Sequence, residues 1–154
     1  MSDQASDGTY SLTLSAPGGS LRTTDALDIR ALLVYRGPDS SVTVAAPDTG
    51  LVTISFEQLD GPLRMSANSR LMCSGPSTLR KGAAMTFEPI GHEKPPGGDP
   101  SLPVYQRWQS DPEIHLPAGR WRITARAEVY QQATCGSDPP DHELTTSVTV
   151  SVTA

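Results

Sequence analysis

Three histidines are the first residues to ask about chemistry, because imidazole can act as base, acid or metal ligand near neutral pH. His92-Glu93 and His142-Glu143 are adjacent pairs, and His115 stands apart from them. No HExxH spacing occurs. Adjacent residues on a strand point to opposite faces, so neither pair is a ready chelate. Serine is plentiful, yet no GxSxG elbow is present. Ser77-Thr78-Leu79-Arg80-Lys81 misses an SxxK spacing by one residue, although Thr78 and Lys81 stand three apart. Neither GxGxxG nor a P-loop is found. Asp138-Pro139-Pro140-Asp141 with Asp39, Asp48 or Asp99 could bind calcium, but the EF-hand pattern is absent and acidic loop tips are usually just solvated. Paired carboxylates for glycoside chemistry require a geometry that spacing does not supply. Arg120, Arg122 and Arg126 share one face of a strand-like run and could meet an anion. The ordinary use of such a row is the wet face of a sheet, paired across strands with Glu and Asp. These residues predict no catalytic centre, no cofactor and no metal: the chain reads as a protein that is not an enzyme.

Two cysteines bear on compartment. Cys73-Ser74-Gly75 and Cys135-Gly136-Ser137 stand in matching contexts, each after a strand-like run. Matching contexts point to a Cys73–Cys135 disulfide and an oxidising compartment. The bridge would close a loop of about 63 residues, worth roughly 4 kcal/mol in the chain-entropy account. Two separate buried thiols are the alternative. Without CxxC spacing the pair is a poor zinc signature.

Composition narrows the class. A chain of 154 residues suits one domain with a real core. Charged residues make up 19 % and hydrophobic residues 36 %, which fits neither a highly charged disordered chain nor a membrane protein. No apolar run is long enough for a membrane helix. The formal charge of −5 argues against nucleic acid as a partner. Arginine outnumbers lysine and Asn68 is the only asparagine, a bias of GC-rich bacterial genomes. Residues 1–8 are small and polar with no apolar h-region, and read as a flexible linker left after removal of a signal or lipid anchor. A frayed start of a cytoplasmic protein is the alternative.

The elements that must position any site are strands. After the turn Leu116-Pro117-Ala118-Gly119, the residues Trp121, Ile123, Ala125, Ala127 and Val129 recur at every second position. The same alternation marks Tyr10–Ala16, Val52–Glu57 and Leu144–Val152. Leu27–Tyr35 is the one helix candidate, since Thr24-Asp25 could cap it, but it runs into the turn Arg36-Gly37-Pro38-Asp39 and is assigned to strand. Fourteen prolines and thirteen glycines supply turns between these runs. Short alternating strands without a firm helix predict an all-β sandwich of antiparallel sheets. Residues 88–103 break the rhythm, with five prolines and three glycines in sixteen positions, and predict a long loop without regular structure. Its residues His92, Glu93, Lys94 and Asp99, with Tyr105 beyond it, form the candidate partner-contact loop. The end loop 136–143 is the second contact candidate. Trp108 is expected in the core, and Gly119 in a tight turn with positive φ. Trp121 is expected to bury its ring while its N–H finds a partner.

Tyr105-Gln106-Arg107-Trp108-Gln109 followed by Ile114-His115-Leu116-Pro117-Ala118-Gly119-Arg120-Trp121-Arg122-Ile123 is similar to the Trp-then-"pGxY" segment of the bacterial intracellular proteinase inhibitor family. Leu33–Val42 resembles that family's strand, turn, strand unit, and Leu79-Arg80-Lys81-Gly82 its "LxpG" turn. The resemblance spans roughly residues 27–130 in order, and its aromatic corner is shared with bacterial immunoglobulin-like domains. It implies an immunoglobulin-like β-sandwich, here of seven to nine strands over residues 9–154. This chain departs from the family in the Pro/Gly-rich insertion before Trp108 and in its cysteine pair. The resulting expectation is a non-catalytic extracytoplasmic binding or spacer module of a bacterial envelope protein, lipoprotein or secreted protein. Its partner would be a protein or a glycan, with no membrane insertion of this segment. The alternatives are a proteinase inhibitor acting through an exposed loop, then a hydrolase with an unrecognised site, and for location the cytoplasm.

Overall fold

The computed structural model describes residues 1–47, 50–66, 73–89, 92–111, 113–131 and 139–154, without the side chains of 46, 47 and 73–75. The strands are β1 (Ser2–Ser6), β2 (Tyr10–Ser15), β3 (Ser20–Arg22), β4 (Arg30–Tyr35), β5 (Ser41–Pro47), β6 (Val52–Gln58), β7 (Arg64–Met65), β8 (Cys73–Arg80) and β9 (Ala84–Phe87). The helix α1 (Leu102–Ser110) follows, then β10 (Gly119–Val129) and β11 (His142–Thr153). The chain is therefore mostly β. Its sheets run β1-β2-β4-β9, β3-β11-β10-β6-β7 and β5-β8. Every pairing between strands is antiparallel except that of β3 with β11.

Alternation decides which faces meet. In β10 the residues Trp121, Ile123, Ala125, Ala127 and Val129 are buried, as are Val52, Ile54 and Phe56 of β6. Register stacks them in rows across the five-stranded sheet: Phe56 beside Ile123 beside Val148, and Val52 beside Ala127 beside Leu144. The inward residues of β2 (Tyr10, Leu12, Leu14) and β4 (Ala31, Leu33, Tyr35) belong to the same core, so two sheets share one interior in a sandwich-like arrangement. Leu32 and Val34 on the other side of β4 are half-buried. The segment therefore has a covered second side, and it is a strand rather than a helix.

The corner before β10 behaves as its residues require. Gly119 has φ +142°, a region side chains disfavour. The Trp121 ring is fully buried, and its Nε1–H donates to the Pro117 carbonyl at 2.8 Å. Asp60 accepts the Arg120 N–H at 3.0 Å, and the Leu59 N–H donates to the Arg120 carbonyl at 2.7 Å.

Two expectations are corrected. Residues 1–8 are not a linker: β1 pairs with β2 from Ser2 beside Ser15 to Ser6 beside Ser11. The physical reason lies in β11, where Thr146 is a buried hydroxyl in an otherwise apolar row. Its Oγ1–H donates to Asp3 Oδ2 at 2.8 Å, so β1 supplies the acceptor that a buried donor needs. The second correction is α1, which begins at Leu102, inside the segment read as structureless. Pro103 lies in the first helical turn, where its missing N–H costs nothing. Ser101, the N-cap residue, makes no side-chain cap; its Oγ accepts the Arg64 N–H at 2.8 Å and ties the helix to β7. Asp99 supports this start by accepting the Ser101 N–H at 2.7 Å.

Candidate functional site

The side chains with chemistry are spread over separate places. Thr78 and Lys81 are both exposed near the end of β8. Among the described residues no group of three or more His, Cys, Asp or Glu could hold a metal ion. Asp48 and Asp138 of the calcium expectation lie outside the described residues. So does Cys135, together with the side chain of Cys73, and with them the expected disulfide. Residues 136–138 of the end loop 136–143 are likewise outside, and His142 and Glu143 of it open β11. No described helix is long and apolar enough to cross a membrane.

The arginine row is the wet face of the sheet. Arg122 meets Glu57 at 3.3 Å, and Arg126 meets Glu143 at 3.1 Å and Glu128 at 2.8 Å. One position before Glu143, the His142 Nδ1–H donates to Asp7 Oδ2 at 2.6 Å. Its Nε2 then accepts from the Gln131 side-chain amide at 2.9 Å. Both ring nitrogens are thereby occupied, and the cluster fastens the β1–β2 turn to β11 rather than presenting a free base.

A concave site forms where α1 crosses the sandwich edge. It is a groove of about 430 Å³. One wall is the segment Ala26–Ile29 ahead of β4, and the other is Tyr105, Trp108 and Gln109 of α1. Glu88, Pro89 and His92 line it from the segment after β9, and Asp111, Glu113 and Ile114 from the segment after α1. The Leu27 N–H donates to the Ile114 carbonyl at 2.8 Å, which holds the two walls together. Leu27 and Ile29 are buried and belong to the core.

Three rings stiffen the groove. Trp108 meets Phe56 edge-to-face at 5.1 Å and His92 at 5.6 Å, and His92 lies 5.6 Å from Phe56. The Trp108 Nε1–H donates to the His115 carbonyl at 3.2 Å. The His92 Nε2–H donates to the Ile54 carbonyl at 2.9 Å. Burial holds the His92 imidazole below its ordinary pKa, with the Ile54 carbonyl opposing in part. His92 is therefore a neutral wall of the groove and not a tip of an exposed loop.

Four carboxylates surround these rings: Asp28, Glu88, Asp111 and Glu113. Asp28 pairs with Arg30 at 3.2 Å. Asp111 and Glu113 lie 3.9 Å and 3.5 Å from His115 Nε2. Glu88 is exposed and has no ion pair among the described residues. Among the described lining residues there is no Lys, Arg, Ser, Thr or Cys, so the groove offers chiefly carboxylate acceptors and ring faces.

Of the five contact residues expected from the sequence, the groove unites His92 and Tyr105. Glu93 and Lys94 are exposed away from it, the Glu93 N–H donating to the Ser66 carbonyl at 3.0 Å. Asp99 serves the start of α1. The sequence did not assemble the carboxylates, since they come from three separate segments. Only Trp108-Gln109-Ser110-Asp111-Pro112-Glu113, an aromatic followed closely by two acids, signalled the site locally. No family model matches this chain, and no curated protein and no solved structure matches it.

Proposed function

We propose that the protein is a non-catalytic binding module with an immunoglobulin-like sandwich, engaging a partner through the groove beside α1. The observation that carries this reading is the groove itself, rigid in its rings and lined by carboxylate acceptors. The fold assignment draws on strand order: β2-β4-β9 in one sheet and β11-β10-β6 in the other follow the A-B-E and G-F-C orders of immunoglobulin-like domains. Filling the groove is the test. Ala26 is exposed on its rim, so Ala26→Trp blocks the space without touching the core. Immobilised protein should retain a partner from the cells of origin, and the Ala26→Trp variant should lose that same partner. Identical retention by both proteins removes the groove from the reading.

The extracytoplasmic setting rests on Cys73 and Cys135 alone. Thiol counting on denatured protein from its native compartment should find none free; two free thiols would sink that part. One observation favours the alternative of a proteinase inhibitor. Glu93, Lys94, Pro96, Gly97 and Gly98 are exposed between anchors at Ser66 and Ser101, as a loop offered to a protease cleft must be. Micromolar inhibition of a subtilisin-like protease, abolished on deleting residues 93–98, would replace the groove reading with that one.

A further inference from the structure

Resting on the binding-module reading, we propose that the groove takes an arginine or lysine side chain of a protein partner. The argument is one of complementary donors, acceptors and charge. Asp28, Glu88, Asp111 and Glu113 line the groove, with no Lys or Arg among its described lining residues. The indole N–H of Trp108 is committed to the His115 carbonyl, and the ring N–H of His92 to the Ile54 carbonyl. Among the described lining side chains the donors that remain are the Gln109 amide and the Tyr105 hydroxyl. A site so poor in donors and rich in anionic acceptors matches a ligand that is all donors. Guanidinium carries five N–H groups and no acceptor, and ammonium carries three. An anionic ligand would meet four carboxylates, and a neutral sugar, whose hydroxyls can donate to them, would leave their charge uncompensated.

The rings favour the same ligand. Trp108 is half-exposed, and T-shaped contacts with Phe56 and His92 fix its plane. A cation over an indole face is attracted by the ring quadrupole, more strongly when partly desolvated. The apolar stem of Arg or Lys has Leu27, Ile29 and Ile114 to lie against, and its charged head the acidic rim.

The test is a titration of the intact chain with acetyl-Gly-Gly-Arg-Gly-Gly-amide, followed by ¹H–¹⁵N spectra of the two indole groups. Counterpart peptides carry lysine, citrulline or glutamate at the centre; citrulline keeps the shape of arginine and loses the charge. The Trp108 indole signal should shift saturably with the arginine and lysine peptides. The buried Trp121 indole should stay in place and report that the fold is intact. Citrulline should bind at least about tenfold more weakly, and Glu88→Gln with Asp111→Asn should weaken the arginine peptide by about tenfold or more. Raising salt should weaken it further. No saturable shift at millimolar arginine peptide overturns the proposal, as does equal binding of citrulline. A saturable response to a neutral oligosaccharide but not to arginine replaces the cation with a glycan. Loss of a captured partner on Ala26→Trp, together with silence toward the arginine peptide, leaves the module standing and overturns only this choice of ligand.

Discussion

The imidazole of His92 is held without charge by its burial, and this has a consequence for stability. A histidine with a depressed folded-state pKa favours the fold while both states are neutral. As pH falls below about 6.5 the unfolded chain takes up the proton first, so stability is lost from there down to the folded pKa. The urea midpoint should drop between pH 7.5 and 5.5, and His92→Gln should make that drop shallower. An unchanged slope would mean that His92 is not buried as described. Asp7 acts in a lower window. Its burial raises its pKa, but the Tyr10 N–H and the His142 ring outweigh that and leave it below 3.8. Its contribution is present above that pH and goes as the carboxylate protonates. The arginine row carries little by contrast. The Arg122–Glu57 pair is solvated, and exposed pairs are worth about 0–1 kcal/mol. Arg122→Gln should change unfolding free energy by less than about 0.5 kcal/mol in denaturant titration. These pairings were legible in advance, because the strand alternation already put the arginines outward. The tucked His92 was not, because its neighbours Glu93 and Lys94 are exposed and only contact with Phe56 and Trp108 separates it from them.

At the scale of elements, the corner before β10 and the strand β1 make separate predictions. A Cβ on Gly119 would stand 2.6 Å from Gln58 Nε2 and 2.8 Å from Asp60 Oδ1, at a φ that side chains avoid. Asp60 also holds the Arg120 N–H, so it cannot move away freely. Gly119→Ala should cost about 1–3 kcal/mol, read from thermal unfolding. Removing residues 1–6 exposes the edge of β2 and leaves the Thr146 hydroxyl without its acceptor. For a chain of this size the melting temperature should fall by roughly 5 °C. A melting temperature equal to the full chain's would restore the linker reading. Sequence favoured the linker because Ser2-Asp3-Gln4-Ala5-Ser6 has no apolar alternation. Its place in the sheet comes from backbone pairing and one hydroxyl 143 residues away. The helix α1 escaped for a related reason. Nine residues are too few to display a helical period, and the prolines before them announce a loop.

Over the whole molecule, the two indoles sample different layers: Trp121 is fully buried in the core, and Trp108 sits at the groove. Both contact one continuous cluster of buried side chains. Their signals should vanish together in a single unfolding transition, as a two-state domain requires. Earlier loss of the Trp108 signal would mark α1 as a separately melting unit. The sequence by itself determined the alternating strands β2, β4, β6, β10 and β11 and their inward faces, because in an extended chain side-chain direction follows from position parity alone. It likewise determined the Gly119 corner, where the turn residues act on their immediate neighbours. Only the tertiary structure decided the joining of β1 to the sheet, the course of α1 and the groove between its walls. Those features depend on groups distant in the chain being brought within hydrogen-bonding and van der Waals reach, which no local pattern records.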